Sequence, residues 1–204
     1  MSTELLGSPS PHLQSLAVRA AVRADAMGLL IDRTGLYGTH PEDTASTLTR
    51  VLDVARDAGI GRGLIMPGPS GDEARWEGFV RNLLDALEES PVPRMEWKGL
   101  ERVLGADLLS ELIGVSPSSL RRYVIGTRDT PDDVAARLHF LALVVGDLSG
   151  SYNDIGVRRW FERRRTQLGG KTPAELLQDG WDPQDEGPEK VRKLAAALLG
   201  APAT

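Results

Sequence analysis

Gly114-Val115-Ser116-Pro117-Ser118-Ser119-Leu120-Arg121-Arg122-Tyr123 reads as the turn and second helix of a helix-turn-helix. Upstream of it, Leu108, Leu109, Leu112 and Ile113 supply the apolar side of a short first helix. Gly114 stands where the chain must bend sharply, and a residue without Cβ enters left-handed backbone space at little cost. Ser116 can accept a backbone N–H as N-cap, and Pro117 already has the φ required at the first helical position. Leu120 and Val124 share a face that packs back on the first helix. Ser118, Arg121 and Arg122 are left on the face with which a recognition helix meets the major groove. Guanidinium groups there can grip guanine edges or phosphates. Together with Ser116, Ser119 and Arg128 they form the set of candidate DNA contacts. Arg128 follows the stop at Gly126 and has two readings, a phosphate contact or an ion pair with Asp129 or Asp132. The competing reading of the whole passage is two ordinary short helices joined by a tight turn, used for packing or dimerisation.

On either side the apolar spacing stays helical, so the expected fold class is all-α, a helical bundle. Leu13, Leu16, Ala20, Ala24, Met27 and Ile31 form one stripe, with Arg19 and Arg23 expected to point outward. Leu48, Val51, Leu52 and Ala55 form a second stripe after a start signal at Pro41-Glu42-Asp43. Trp76, Phe79, Val80, Leu83 and Leu87 form a third, ended by Ser90-Pro91-Val92-Pro93, whose prolines cannot continue a helix. Between the second and third stripes runs a Gly- and Pro-rich connector, Gly59 to Gly71, in which Arg62 to Met66 is the one candidate extended piece. Thr130-Pro131-Asp132-Asp133 is a helix start, with a hydroxyl cap and two carboxylates at the positive end of the dipole. The helix after it is apolar all round from Leu138 to Val145, the pattern of a central buried helix. Thr172-Pro173-Ala174-Glu175 reads as a capping box, and a last helix runs from about Pro188 to Leu199.

Composition narrows the function classes. The chain has 204 residues, a net charge of -5 and no cysteine. Nucleic acid must therefore be met by a local basic patch rather than by the protein's overall field. Disulfides, a Cys-ligated zinc site and a thiol nucleophile are excluded. No secretory signal is recognisable at the N-terminus and no apolar run is long enough to span a bilayer, so the expected location is cytoplasmic, without membrane contact. The three histidines His12, His40 and His139 are scattered, with His139 expected as a hydrogen-bonded core residue. No catalytic, metal or phosphate-loop constellation stands out: Gly59, Gly61 and Gly63 follow a helix rather than a strand. An enzyme is not expected, nor is a cofactor.

Three blocks carry a family resemblance. The first runs from Leu112-Ile113-Gly114 through Arg121-Arg122-Tyr123 to Gly126-Thr127-Arg128. The second is Ser151-Tyr152-Asn153-Asp154-Ile155-Gly156-Val157-Arg158-Arg159-Trp160-Phe161, and the third, the most specific, is Leu168-Gly169-Gly170-Lys171-Thr172-Pro173-Ala174-Glu175-Leu176-Leu177. From Trp97 to its end the chain resembles the Xre/MbcA/ParS toxin-binding antitoxin family. The resemblance implies a type II antitoxin that pairs with a RES-type toxin, an enzyme that consumes NAD or ADP-ribosylates a target protein. It implies an Xre-like helix-turn-helix domain over 96–150 that dimerises and binds the operon's promoter DNA. It also implies a C-terminal helical toxin-binding domain over 151–204 that covers the toxin's active site. Residues 1–95 form a helical region that matches no motif of this family.

Arg158, Arg159, Arg163, Arg164 and Arg165 are the densest basic cluster. A solvated face, with Glu162 pairing Arg158 and Arg165 at helical spacing, competes there with docking on an acidic rim of a partner and with phosphate contact. The expected partner-binding set is Arg158, Arg159, Arg163, Lys171, Trp181, Lys190 and Lys193. Trp181 enters as a candidate interface anchor, held in a turn by Asp179-Gly180 and Asp182-Pro183. Trp160 and Phe161 are expected in the core. Two alternatives stand beside the antitoxin: a helix-turn-helix transcriptional regulator without a toxin, and a helical protein-interaction scaffold.

Overall fold

The apolar stripes fold as helices, and no strand occurs among the residues described by the computed structural model, 9–30, 44–68, 71–178 and 180–200. The all-α expectation holds. Ile31, His40, Pro41-Glu42-Asp43 and Asp179 lie outside the described residues. The chain divides into two compact units between Ser90 and Pro91, with the short turn Ala26–Gly28 belonging to the second.

The first unit holds α1 (Pro11–Ala26), α2 (Thr44–Asp57) and α3 (Glu73–Glu88). Leu13, Ala20, Leu48, Trp76, Val80, Leu83 and Leu87 are wholly buried in it. Asp72 caps α3 by accepting the Arg75 N–H. Residues 62–66 run as turn and irregular chain rather than as a strand. The outward placement expected for Arg23 is wrong, and Arg19 is half-buried. Arg23 is 1% exposed and donates to Glu88 Oε2 at 2.9 Å. Burial pushes both guanidinium pKa values down, and Glu88 and Asp85 across the helix pair oppose that shift. A stripe pattern identifies the most apolar face of α1 but not a second face that a neighbouring helix also covers. The carboxylates of α3 make that second face tolerable.

The second unit holds α4 (Pro93–Leu104), α5 (Ala106–Ile113), α6 (Pro117–Val124), α7 (Asp132–Ser149), α8 (Asp154–Glu162), α9 (Pro173–Leu176) and α10 (Glu186–Ala196). Short 3-10 turns add Thr166–Leu168 and Ala197–Gly200. α7 is the central element: Val134 and every residue from Arg137 to Ser149 are buried, and α4, α5, α8 and α10 pack around it. The described residues of both C-terminal regions delimited by sequence, 96–150 and 151–204, lie in this unit. Within α7, His139 Nδ1 lies 2.6 Å from Glu96 Oε1 on α4, the hydrogen-bonded core histidine expected. Thr130 does not cap α7, whose N-cap position is Pro131. Its hydroxyl instead accepts the indole N–H of the buried Trp97 at 2.9 Å, a donor that would otherwise be orphaned. Backbone meets backbone where the Ala26–Gly28 turn crosses α4. A Cβ on Gly99 would sit 2.6 Å from both Ala26 O and Gly28 N, so only glycine fits. No single helix among the described residues is long and apolar enough to cross a membrane.

Candidate functional site

Two surfaces of the second unit gather the residues singled out by sequence. The first is built by α5, the turn and α6. α5 ends at Gly114, whose φ of 76° and ψ of 38° are left-handed. Val115 N–H reaches back to Ser110 O at 3.1 Å and closes the turn. Ser116 then caps α6, its Oγ accepting the Ser119 N–H at 3.2 Å, and Pro117 occupies the first turn. The inner face of α6 is Leu120 and Tyr123, both buried. Tyr123 stacks on Trp97 of α4, with ring centres 5.2 Å apart and planes 12° apart. Val124 is only half-buried, so Tyr123 does the packing that sequence spacing gave to Val124. The signal was present in the i, i+3 relation of Leu120 to Tyr123, but a tyrosine beside two arginines also fits an exposed face.

Of the six predicted DNA contacts, the structure joins five by hydrogen bonds. Ser116 Oγ lies 3.1 Å from Ser118 Oγ and 3.0 Å from Ser119 Oγ. Arg128 donates to Ser119 Oγ at 3.4 Å, and its guanidinium lies 5.2 Å from the centre of the Tyr123 ring. Arg128 thus takes neither Asp129 nor Asp132 as partner. Arg122 turns back along α6 to donate to Ser118 O at 3.3 Å and stays exposed. Arg121, also exposed, makes none of these contacts and lines a groove with Ser118, Glu101, Val124 and Ile125.

The second surface starts at α8. Asn153 caps it by accepting the Gly156 N–H at 2.9 Å, and Val157, Trp160 and Phe161 form its buried side, as expected. After α8 the chain makes a closed loop: Arg165 N–H bonds Lys171 O, and Gly170 N–H bonds Arg165 O, each at 2.9 Å. Gly169 and Gly170 both have positive φ, 66° and 82°, so the Gly-Gly pair is what lets this loop close over the buried Leu168. The capping box of α9 is present in both directions, with Glu175 N–H to Thr172 Oγ1 at 3.0 Å and Thr172 N–H to Glu175 Oε2 at 2.7 Å. That backbone hydrogen bond, helped by Arg164, holds the Glu175 carboxyl below its ordinary range.

The basic cluster does not behave as one face. Arg158 donates to Val103 O on α4 at 2.8 Å, Arg164 to Gly170 O and Glu175 Oε1, and Arg165 lies over the Trp160 ring. Glu162 pairs with neither Arg158 nor Arg165; backbone carbonyls and an aromatic face replace it. Arg159, Arg163 and Lys171 are exposed and lack an ion-pair partner among the described residues. Lys190 and Lys193 are exposed on α10 but neutralised one turn back by Glu186 and Glu189.

Trp181 departs from the anchor expected of it. It is 6% exposed, its indole N–H donates to Leu112 O at 2.7 Å, and its ring meets Phe140 of α7 edge-on. The turn around it presents the indole inward because Leu112 and Phe140 offer an acceptor and an apolar wall. α10 is likewise docked: Val191 and Ala195 are fully buried, and Arg192 forms an ion pair with the buried Asp147 of α7. Sequence missed this pair because Asp147 reads as an interruption of an apolar run. No cluster of three potential metal-binding side chains occurs among the described residues.

Comparison with family models, with curated proteins and with solved structures finds no match to the chain in any of the three.

Proposed function

We propose that this protein is the antitoxin of a type II toxin–antitoxin pair, which binds promoter DNA of its own operon and neutralises a RES-type toxin by covering its active site. The reading rests on the three sequence blocks that resemble Xre/MbcA/ParS antitoxins. The observation that carries it is that the three blocks lie in one compact unit and form two surfaces with exposed arginine and lysine side chains. One is the α5–turn–α6 element with Ser119, Arg122 and Arg128 exposed or half-exposed; the other is α8 and the closed Gly169–Gly170 loop, with Arg159, Arg163 and Lys171 unpaired among the described residues. Arg122 and Arg128 are the phosphate and base contacts in this reading, and Arg159, Arg163 and Lys171 dock on the acidic rim of the toxin. The protein itself performs no chemistry and needs no cofactor.

Co-expression with the neighbouring gene tests this. The charge-reversal triple variant Arg159→Glu/Arg163→Glu/Lys171→Glu leaves the core untouched and is expected to abolish rescue of NAD levels and growth. Full rescue by the triple variant, or no interacting neighbour product, refutes the toxin part. The exposed arginines of α6 favour the regulator reading as a second possibility, and gel shifts separate the two. Arg122→Ala and Arg128→Ala are each expected to lower the salt slope by about one for every phosphate that the side chain neutralises. A regulator without a toxin keeps that effect and shows no dependence on Arg159, Arg163 or Lys171.

A further inference from the structure

Directly after α8 the chain reads Arg163-Arg164-Arg165-Thr166, and nowhere else does a hydroxyl side chain follow three consecutive arginines. The helix has ended here: Arg163 has φ -87° and ψ 130°, and Arg165 has φ -127° and ψ 127°, so the backbone leading to Thr166 is extended. Thr166 is exposed, and its hydroxyl makes a long contact of 3.4 Å to Oε1 of the adjacent Gln167. The carbonyl of Thr166, not its hydroxyl, accepts the Gly169 N–H that closes the 3-10 turn. By contrast, Ser116 and Thr172 cap helices and Thr130 accepts the Trp97 indole N–H. Arg163 and Arg164 are exposed too. Arg164 reaches Gly170 O and Glu175, but its side chain is 73% exposed, and such a surface contact is cheaply exchanged for another carboxylate.

An extended segment can enter a cleft without unfolding a helix, and guanidinium groups just before the hydroxyl pair well with carboxylates lining that cleft. We propose that Thr166 is a phosphorylation site, read through Arg163 and Arg164 by a protein kinase with an acidic substrate groove, and that the phosphate switches off the cationic surface around it. In the transfer, Thr166 Oγ1 forms a bond to the γ-phosphorus of a nucleoside triphosphate. The bond from that phosphorus to the β,γ-bridging oxygen breaks, its electron pair leaves with the nucleoside diphosphate, and the hydroxyl proton passes to a base of the kinase. The product carries about -1.5 to -2 charges at this position. The closed loop returns Lys171 to the residue before Thr166, since Lys171 O accepts the Arg165 N–H at 2.9 Å. A phosphate on Thr166 therefore stands between Arg163 and Lys171 along the loop and offsets about two of the three charges that Arg159, Arg163 and Lys171 present. The switch rests on the toxin contact proposed above; the modification site does not.

Incubating the full chain with labelled ATP and a kinase that requires arginine two and three residues before its target tests the site. One phosphate per chain is expected, mapped by tandem mass spectrometry to Thr166, retained in Thr166→Ser and lost in Thr166→Val. Arg163→Gln/Arg164→Gln is expected to slow labelling at least about tenfold, through loss of two charge-assisted contacts. All three side chains are exposed, so the variants should keep the circular dichroism of the unmodified chain. Absence of label from the folded chain, label confined to other residues, or a rate indifferent to the arginine pair overturns the site. Calorimetric titration with the toxin tests the switch: the phosphorylated chain is expected to bind at least about tenfold more weakly, and kinase-treated Thr166→Val to keep full affinity. Equal affinity with and without the phosphate overturns the switch. If no toxin binds the unmodified chain, the functional proposal and the switch fall together, while the labelling result still decides the site.

Discussion

Replacing Arg192 by methionine should loosen the last helix from the rest of its unit, and the size of the effect follows from burial. Asp147 is 0% exposed and the Arg192 side chain 18%, so water screens their ion pair little. Taking away one member removes from a buried carboxylate the cation it is paired with, which costs about 3–5 kcal/mol. The partial exposure of Arg192 places the expected value near the lower end, about 3 kcal/mol. With a urea dependence of roughly 2 kcal/mol per M, the midpoint should fall by about 1.5 M. Replacing both members, Asp147→Leu/Arg192→Met, should return stability to within about 1 kcal/mol, since paired apolar groups of similar volume match or exceed a buried ion pair. Hydrogen exchange supplies the local readout: amides of α10 should lose roughly a hundredfold of protection in Arg192→Met, for each 1.4 kcal/mol is about a factor of ten. Equal protection of α10 in the single variant and the unmodified chain would refute the reasoning, as would a double variant no more stable than the single.

Two further outcomes are expected. Trp181→Phe removes the hydrogen bond to Leu112 O but keeps the packing against Phe140, so urea denaturation should show a loss of about 1 kcal/mol; toxin affinity should not change, whereas a partner anchor would lose affinity strongly. Glu175, held below its ordinary value of 4.5 chiefly by the Thr172 N–H, stabilises the α9 cap at pH values above 4.5 and loses that contribution as pH falls through its lowered folded value. An NMR titration should show the Thr172 amide shifting only below 4.5 and not at all in Glu175→Gln; a midpoint at or above 4.5 contradicts the hydrogen bond.

Sequence made the helices legible because each carries its own local instructions. Gly114, Ser116 and Pro117 specify one turn, Thr172 and Glu175 one cap, and an all-round apolar run one central helix. It failed where a side chain answers to a partner far along the chain. Arg23 finds Glu88, Thr130 finds Trp97, Trp181 finds Leu112, and Asp147 finds Arg192. In each case a polar group that looks solvent-directed in its own segment is buried by a distant element that satisfies it. Periodicity counts apolar residues and is blind to such pairs. The same limit explains the candidate sites. Exposure of Arg121, Arg122 and Arg159 follows from local helix phase, while Arg158 and Arg165 are drawn off by Val103 O and the Trp160 ring.

The docked state of the C-terminal segment changes what covering a partner requires of it. A lid that swings out would have to break the Arg192–Asp147 pair, expose Val191 and Ala195, and withdraw the Trp181 indole from Leu112. Those losses would be subtracted from what the interface gains, on top of its own ordering costs. A rigid unit that presents an already fixed outer face incurs none of them, and preorganisation then favours tight binding. In the proposed function, contact with a toxin therefore falls on side chains that are exposed and uncommitted in the free protein. Arg159, Arg163 and Lys171 meet that condition. Lys190 and Lys193 meet it only after giving up Glu186 and Glu189, a small cost for exposed helix pairs. Trp181 does not meet it at all, and an antitoxin built on this unit neutralises by its charged surface rather than by an aromatic plug.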